Sequence, residues 1–458
     1  MKTSAKSRPG VGLLQLVVTL TILLLFAAGS QGTINGVSGT TFNFTARADR
    51  LTTGDGGSIL FWGYGLDGGR AQYPGPTLIV NQGDTITINL TNRLTVRNSP
   101  SPNVSIVFPG QEGVTTTVTT GVGTDGLLTK EAGYNETVQY TFTANHAGTY
   151  LYYSGTSPEL QREMGLLGAI IVRPYGFSAA APTAYNHADS AYDREYLFLL
   201  SEMDPRVHLA IQTQGLAAVD PDWMSDYFSG WWFINGRNAP DTMLMPNELT
   251  LPTQPYNCMP LLHPAERMLM RVIDAGRDLH PFHHHGNHAR VIAKDGRLLD
   301  SGSGSPMIDL SYMEFTVQAI PGETTDAIFT WTSKGLGWDI YGDPNDAAFA
   351  HTCNGAGPDN IDPATGEDCN DHGKLFNGSA LPVNLPEQQT LANGGHWSGS
   401  PFLGSLGQLP PGEGGLNPNG GLAFMWHSHT EKEMTNYDIF PGGMMTMFIV
   451  EPPSAPIQ

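Results

Sequence analysis

The sequence predicts an all-β protein made of two β-sandwich domains. Three observations predict it. The chain has 458 residues with 55 Gly and 33 Pro but only 14% charged residues, a composition suited to many turns and poor for long helices. Short apolar runs with period-two alternation recur between turn clusters, as in Leu78 and Val80 before the Gln82-Gly83-Asp84 turn and Ile86, Ile88 and Leu90 after it. A small, polar stretch at 176–192 divides these runs into two sets and reads as a linker.

Taken in order, Lys2, Lys6 and Arg8 precede an apolar run over 11–29 that ends in Ala27, Ala28, Gly29 and Ser30. A basic region, an apolar region and a small-residue site define a signal peptide, so residues 1–32 are expected to direct export. The run is also long enough for an uncleaved membrane anchor, and Gly10 before it leaves a prepilin-like leader as a third reading. The expected location is extracytoplasmic: periplasmic, cell-surface or secreted. Residues 33–175 form the first domain, with strands expected within 76–94, 136–142, 147–153 and 165–174. Residues 193–453 form the second, with strands within 195–204, 230–240, 266–276, 280–300 and 312–332 and the last ones around His427 and Met447. A stretch rich in Gly, Asn, Asp and Pro at 336–420 is an insertion, read either as a lid over a site or as a surface loop.

The formal net charge of −20 opposes binding to nucleic acid or to an anionic membrane surface. Of three cysteines, Cys353 and Cys369 are expected to pair across the polar loop, and Cys258 to remain a buried thiol.

The chemistry is concentrated in HPFHHHGNH, residues 280–288, which holds five histidines. Side chains alternate along a strand, so His283 and His285 share one face. A second such pair, His427 and His429, lies near the end of the chain. If the two segments are neighbours, four imidazoles meet, a donor set suited to one copper or zinc ion, with copper favoured by the affinity order of divalent metals. His280 is a fifth candidate ligand, and Glu431 or Glu433 could approach from the following loop. His284 is expected to face away, and His288 to be structural. The remaining histidines, His351 and His372 among them, are expected in solvated or core roles.

These segments resemble the multicopper oxidases. YPGPTLIVNQGDTITINLTNRL resembles the family's opening strand pair, HPFHHHGNH its HPxHxHG motif, and FMWHSHTEKEM with FPGGMM its HCHxxxHxxxGM motif. The resemblance implies cupredoxin-like Greek-key domains, a copper cofactor and, from the two-domain laccases and copper nitrite reductases, a homotrimer. It also implies losses. The family holds three coppers with four HxH pairs, and two of those pairs fall here on Val107 and Pro109 and on Tyr153 and Gly155. Neither Val, Pro nor Gly has a side-chain donor, and neutral Tyr is a poor one, although Tyr153 could serve as a redox or hydrogen-bonding neighbour. At the blue copper, His280 and Met444 match a histidine and the axial residue, but Ser428 stands where the cysteine belongs and Glu433 where the second histidine belongs. The expectation is therefore one mononuclear copper on His283, His285, His427 and His429, with an oxidoreductase activity other than the standard laccase reaction on a small-molecule substrate or electron donor. A non-enzymatic copper-binding or cell-surface cupredoxin is the competing expectation, and a nitrite-reductase-like enzyme a third.

Overall fold

The computed structural model describes residues 34–335, 337, 339–347, 350–374, 422–451 and 456–457; the expected leader at 1–32 and the insertion beyond Lys374 lie outside them. The described chain is two β-sandwiches. In the first domain one sheet runs Val37–Ser38, Leu78–Asn81, Leu167–Arg173, Gly148–Tyr153, and the other Ser58–Leu66, Thr41–Thr52, Thr85–Asn92, Thr137–Thr143, Thr115–Thr120. Alternation drives the packing: Ile86, Ile88 and Leu90 are fully buried, and Val138, Tyr140 and Phe142 face them from the neighbouring strand.

In the second domain one sheet runs Trp231–Ile234, Arg194–Met203, Arg267–Asp274, Thr324–Thr330, Ala289–Lys294, Arg297–Leu298, with Tyr312–Glu314 also on Ala289–Lys294. The facing sheet runs Leu261–Leu262, Met445–Val450, Leu422–Ser428, His280–His284, Thr316–Ala319. Phe198, Phe282, Phe329, Trp426 and Phe448 fill the space between the two sheets.

The two sandwiches share a core. Strand Arg194–Met203 is buried at every position because its second face meets the first domain, where Leu151, Leu167 and Ile171 pack against Leu197, Leu199 and Phe233. Gly236, at φ 79°, lies against the Tyr73 carbonyl, and a Cβ there would sit 1.9 Å from that oxygen. A buried ionic cluster crosses the boundary. Arg173 Nη1 donates to Glu195 at 2.7 Å, Arg271 Nε to Glu195 at 3.1 Å, and Arg271 Nη1 to Thr149 Oγ1 at 2.8 Å. Thr149 and Tyr185 in turn donate to Asp326, each at 2.6 Å. Burial alone would raise the Glu195 carboxyl, but the two guanidiniums hold it below its ordinary value.

Tyr185 corrects the expected linker. The stretch 176–192 is small and polar in sequence, yet Tyr185 and Tyr192 are buried and the segment folds onto the second domain through Asp326 and a short 3-10 turn, Ala188–Ser190. Two tyrosines among small residues were enough to dock it. The described part of the insertion, within 336–374, forms with residues 333–335 a lobe of turns with no strand or helix among its described residues, and Cys353 and Cys369 are bonded across it with their Cα atoms 5.6 Å apart. Cys258 is a buried free thiol, as expected.

Removing one partner from a buried ion cluster strands the other charges. Arg271→Ala is expected to lower stability by ~3–5 kcal/mol in urea unfolding, because it leaves Glu195 and Asp326 without their shared cation.

Candidate metal centre

Strand His280–His284 pairs antiparallel with Leu422–Ser428 in a register that sets His283 opposite His427. The two histidine pairs are therefore neighbours, as expected from their spacing. Ring centroids lie 4.7 Å apart for His283 and His285, 5.4 Å for His283 and His427, 5.3 Å for His285 and His427, and 5.0 Å for His283 and His429. Nitrogens of His283, His285 and His427 all lie within 4.8 Å of one another. His429 stacks beside this trio on the exposed side and is not one of the three.

The trio fits a metal by its chemistry. Nδ1 of His427 is 2.8 Å from the Ser428 carbonyl, so it carries the proton and leaves Nε2 as a lone-pair donor. That Nε2 is 3.4 Å from Nε2 of His285, close to the ~3.3 Å edge of a tetrahedron whose ligands stand 2.0–2.1 Å from a metal. His283 is oriented by Thr316 Oγ1, 2.8 Å from its Nδ1. Burial, and then the neighbouring imidazoles, push His283 down to about 4 and His285 to about 3, and burial lowers His427. All three are neutral near pH 7, the form that binds metals without displacing protons.

The other face of the strand has a different use. His284 points into the core beside Trp426 and Phe329 and accepts from the Ala289 N–H at 3.1 Å. His288 packs on Phe315. His280, expected as a fifth ligand, does not join the trio. It is on the inward face, fully buried, with Nδ1 2.8 Å from Glu433 and Nε2 2.9 Å from Glu202. Burial alone would lower its affinity for a proton, but the two carboxylates outweigh it and hold the ring well above its ordinary value. Glu433 is thereby engaged with His280, and Glu431 is exposed. Ser428 and Met444, in the cysteine and axial positions of the resembling motif, are both buried. Nearby, Asp274 accepts from the Gly276 N–H at 2.9 Å, while its Oδ2 is buried with no hydrogen-bond partner among the described residues. Burial pushes its carboxyl up to about 8.

The first-domain segments matched to the lost pairs also meet. Val107 and Tyr153 are bridged by backbone hydrogen bonds of 2.8 and 3.2 Å, and the Val107 side chain fills the space a Cβ on Gly155 would take. Pro109 is exposed. The Tyr153 ring lies under the Arg162 guanidinium at 4.5 Å. Two histidines read as scattered, His351 and His372, are brought together with Asp339 and Glu367 in the lobe. The available signal was their closeness to the disulfide, in His351-x-Cys353 and Cys369-x-x-His372.

With the geometry in place, comparison with known proteins points one way. A family model described as multicopper oxidase matches residues 68–176, within the first domain. Copper resistance protein A of Escherichia coli is 33% identical over 129 residues, 28% of this chain and 18% of that protein. L-ascorbate oxidase of Cucumis sativus is 30% identical over 176 residues, 38% of this chain and 26% of that protein. The chain thus spans well under a third of either relative. Among solved structures, the blue copper oxidase from Nitrosomonas europaea superposes with a TM-score of 0.51 at 18% identity over 89% of this chain and 85% of that one. The multicopper oxidase mgLAC does so with a TM-score of 0.50 at 16% identity over 91% and 87%. These two likenesses are of fold. Copper is the metal of the family, and the neutral trio is a donor set that fits it.

His280→Ala leaves Glu202 and Glu433 buried without a cation and is expected to destabilise the protein by ~3–5 kcal/mol in denaturant unfolding, whereas His283→Ala, which removes a buried neutral ring and leaves no buried charge unpaired, is expected to cost less metal-free stability. Asp274 has a pH signature of its own. Its folded value of about 8 lies above its unfolded one, so the fold retains a proton that the unfolded chain releases. Its contribution is greatest below about pH 4 and is lost as pH rises through 8. Measured from pH 5 to 8, Asp274→Asn is expected to remove about one proton's worth of that downward slope.

Proposed function

We propose that the chain is an exported, two-domain cupredoxin protein of the multicopper oxidase family that holds a single copper on His283, His285 and His427, with His429 alongside. The observation that carries this reading is the His283–His427 register, which brings one nitrogen from each of three neutral imidazoles within 4.8 Å of the others. Bound copper would supply one-electron redox chemistry or an open position for a small ligand. The protein's own part is to keep the imidazoles deprotonated through burial, to aim His427 through the Ser428 carbonyl and His283 through Thr316, and to leave the His429 side open to solvent.

The reading excludes a blue copper and a complete three-copper cluster. Ser428 has no thiolate, and the place of the second histidine is taken by Glu433, already bound to His280. Val107, Pro109 and Gly155 have no donor atoms to complete a cluster. Any redox reaction would then draw electrons directly from a small-molecule substrate or donor. The same loss of electron entry favours the second reading, a non-enzymatic copper-binding or cell-surface protein. The homotrimer implied by resemblance would cover the exposed side of the site, where Phe315, packed on His283, is 51% exposed.

Metal analysis and electron spin resonance on the purified protein test this. One copper per chain, with no intense blue absorption, is expected. His283→Ala with His427→Ala should abolish copper binding while the metal-free protein keeps its β-sheet circular dichroism, whereas His429→Ala should keep the stoichiometry and weaken affinity ~10-fold. No copper in the parent protein, or copper retained by the double variant, sinks the assignment. Turnover of a phenol or nitrite that is lost in the double variant selects the enzyme over the binding protein.

A further inference from the structure

The lobe at 333–374 carries a second convergence of donors, far from the trio in chemistry. Asp339, His351, Glu367 and His372 each offer one ligand atom, all within 4.8 Å of one another. His351 Nε2 is 3.2 Å from Asp339 Oδ2 and 3.4 Å from Glu367 Oε1, and His372 Nδ1 is 3.6 Å from Asp339 Oδ2 and 2.6 Å from Glu367 Oε1. Four ligands at 2.0–2.1 Å from a tetrahedral ion would stand ~3.3 Å apart, so three of these separations are already near that spacing. The fourth is a hydrogen bond that a metal would replace.

Charge and burial point the same way. The Asp339 and Glu367 side chains are 0% and 1% exposed, and two buried carboxylates sharing a site require positive charge. Two imidazoliums could provide it, but their rings would stand only 4.8 Å apart, and that arrangement leaves Oε2 of Glu367 buried with no hydrogen-bond partner among the described residues. One divalent ion balances both carboxylates and keeps both imidazoles neutral. The histidines, 20% and 30% exposed, form the side open to solvent through which an ion can enter.

The scaffold is built around these four residues. Asp339 is fixed by N–H donors from Tyr341 to Oδ1 at 2.9 Å and from Gly373 to Oδ2 at 2.8 Å. The disulfide joins the residues two positions beyond His351 and Glu367, so it clamps the two ligand segments to each other. Among its described residues the lobe has no strand or helix and little apolar core of its own, the circumstance in which small folds depend on disulfides and metals.

We propose that Asp339, His351, Glu367 and His372 bind one zinc ion that fastens this lobe to its fold. Two imidazoles and two carboxylates form a closed four-ligand set with no redox demand, which suits zinc. The site is independent of the copper trio.

The test is zinc titration of the full, disulfide-intact chain by calorimetry and metal analysis, in a His283→Ala/His427→Ala background that removes the trio. One zinc per chain is expected there, with protection of the lobe from proteolysis. Adding His351→Gln and His372→Gln should abolish it, and Glu367→Gln alone, a change of one atom, should weaken it at least tenfold. Cobalt in place of zinc should give the visible bands of a tetrahedral ion, lost in the same variants. Absence of zinc binding and of cobalt bands in the trio-deficient protein overturns the proposal and leaves an ion-pair cluster. Binding that survives His351→Gln/His372→Gln, or a site that takes copper but not zinc, overturns it as well.

Discussion

The functional half of this molecule depends on one backbone pairing, the antiparallel register that sets His283 against His427. Strand alternation then sorts the histidines. Positions 283 and 285 turn outward and become a cluster, while 280, 282 and 284 turn inward and become core. A slip of one residue would exchange the sets, burying the trio's nitrogens and sending Phe282 into solvent. The aromatic packing of Phe282 against Phe198 and Trp426 prevents that slip, so the hydrophobic core holds the trio in place, and Trp426 Nε1 also donates to the His285 carbonyl at 2.9 Å.

The inward side of the same strand gathers charge around one imidazole. His280 is held between Glu202 and Glu433 in full burial. An imidazolium between two carboxylates keeps one net negative charge, and Asp274, held up to about 8, avoids adding another at neutral pH. Such a cluster is a poor source of net stability but is costly to break at one member. It holds the loop carrying Glu433 against the strand carrying Glu202, close behind the trio. His280 and Glu433, two positions that the resemblance assigned to a blue copper, are thus joined to each other in an electrostatic clamp.

Much of this was legible in the sequence, for physical reasons. The HxH pairs and the alternating strands are local, period-two patterns, and they pointed to the sandwiches and to four histidines, of which three converge while His429 stands exposed beside them. The Cys353–Cys369 bond followed from a polar loop with two cysteines. His280 was misassigned because the motif has it near the ligands, whereas its parity on the strand sends it inward; Glu202, its second partner, lies 78 residues earlier and no local pattern links them. The linker was misread because composition registers small polar residues and not the two tyrosines that dock it. The lobe cluster escaped notice because irregular turns have no period: Asp339, His351, Glu367 and His372 meet only once the disulfide and the turn hydrogen bonds are in place.

The two donor clusters contrast in a way that assigns them different metals. Raw affinity among divalent ions favours copper at either one, so selection must come from the ligands and their charge. Three neutral imidazoles place no negative charge on the ion, leave room for a further ligand and tolerate copper in both of its oxidation states. Two buried carboxylates with two imidazoles neutralise a divalent charge and close the coordination shell, which penalises any change of oxidation state because the surrounding charge is fixed. The first arrangement suits reactivity and the second suits fastening. Their positions agree with that division, since the trio sits on paired strands with a rigid core behind it. The other set sits in a lobe whose described residues bury few apolar side chains.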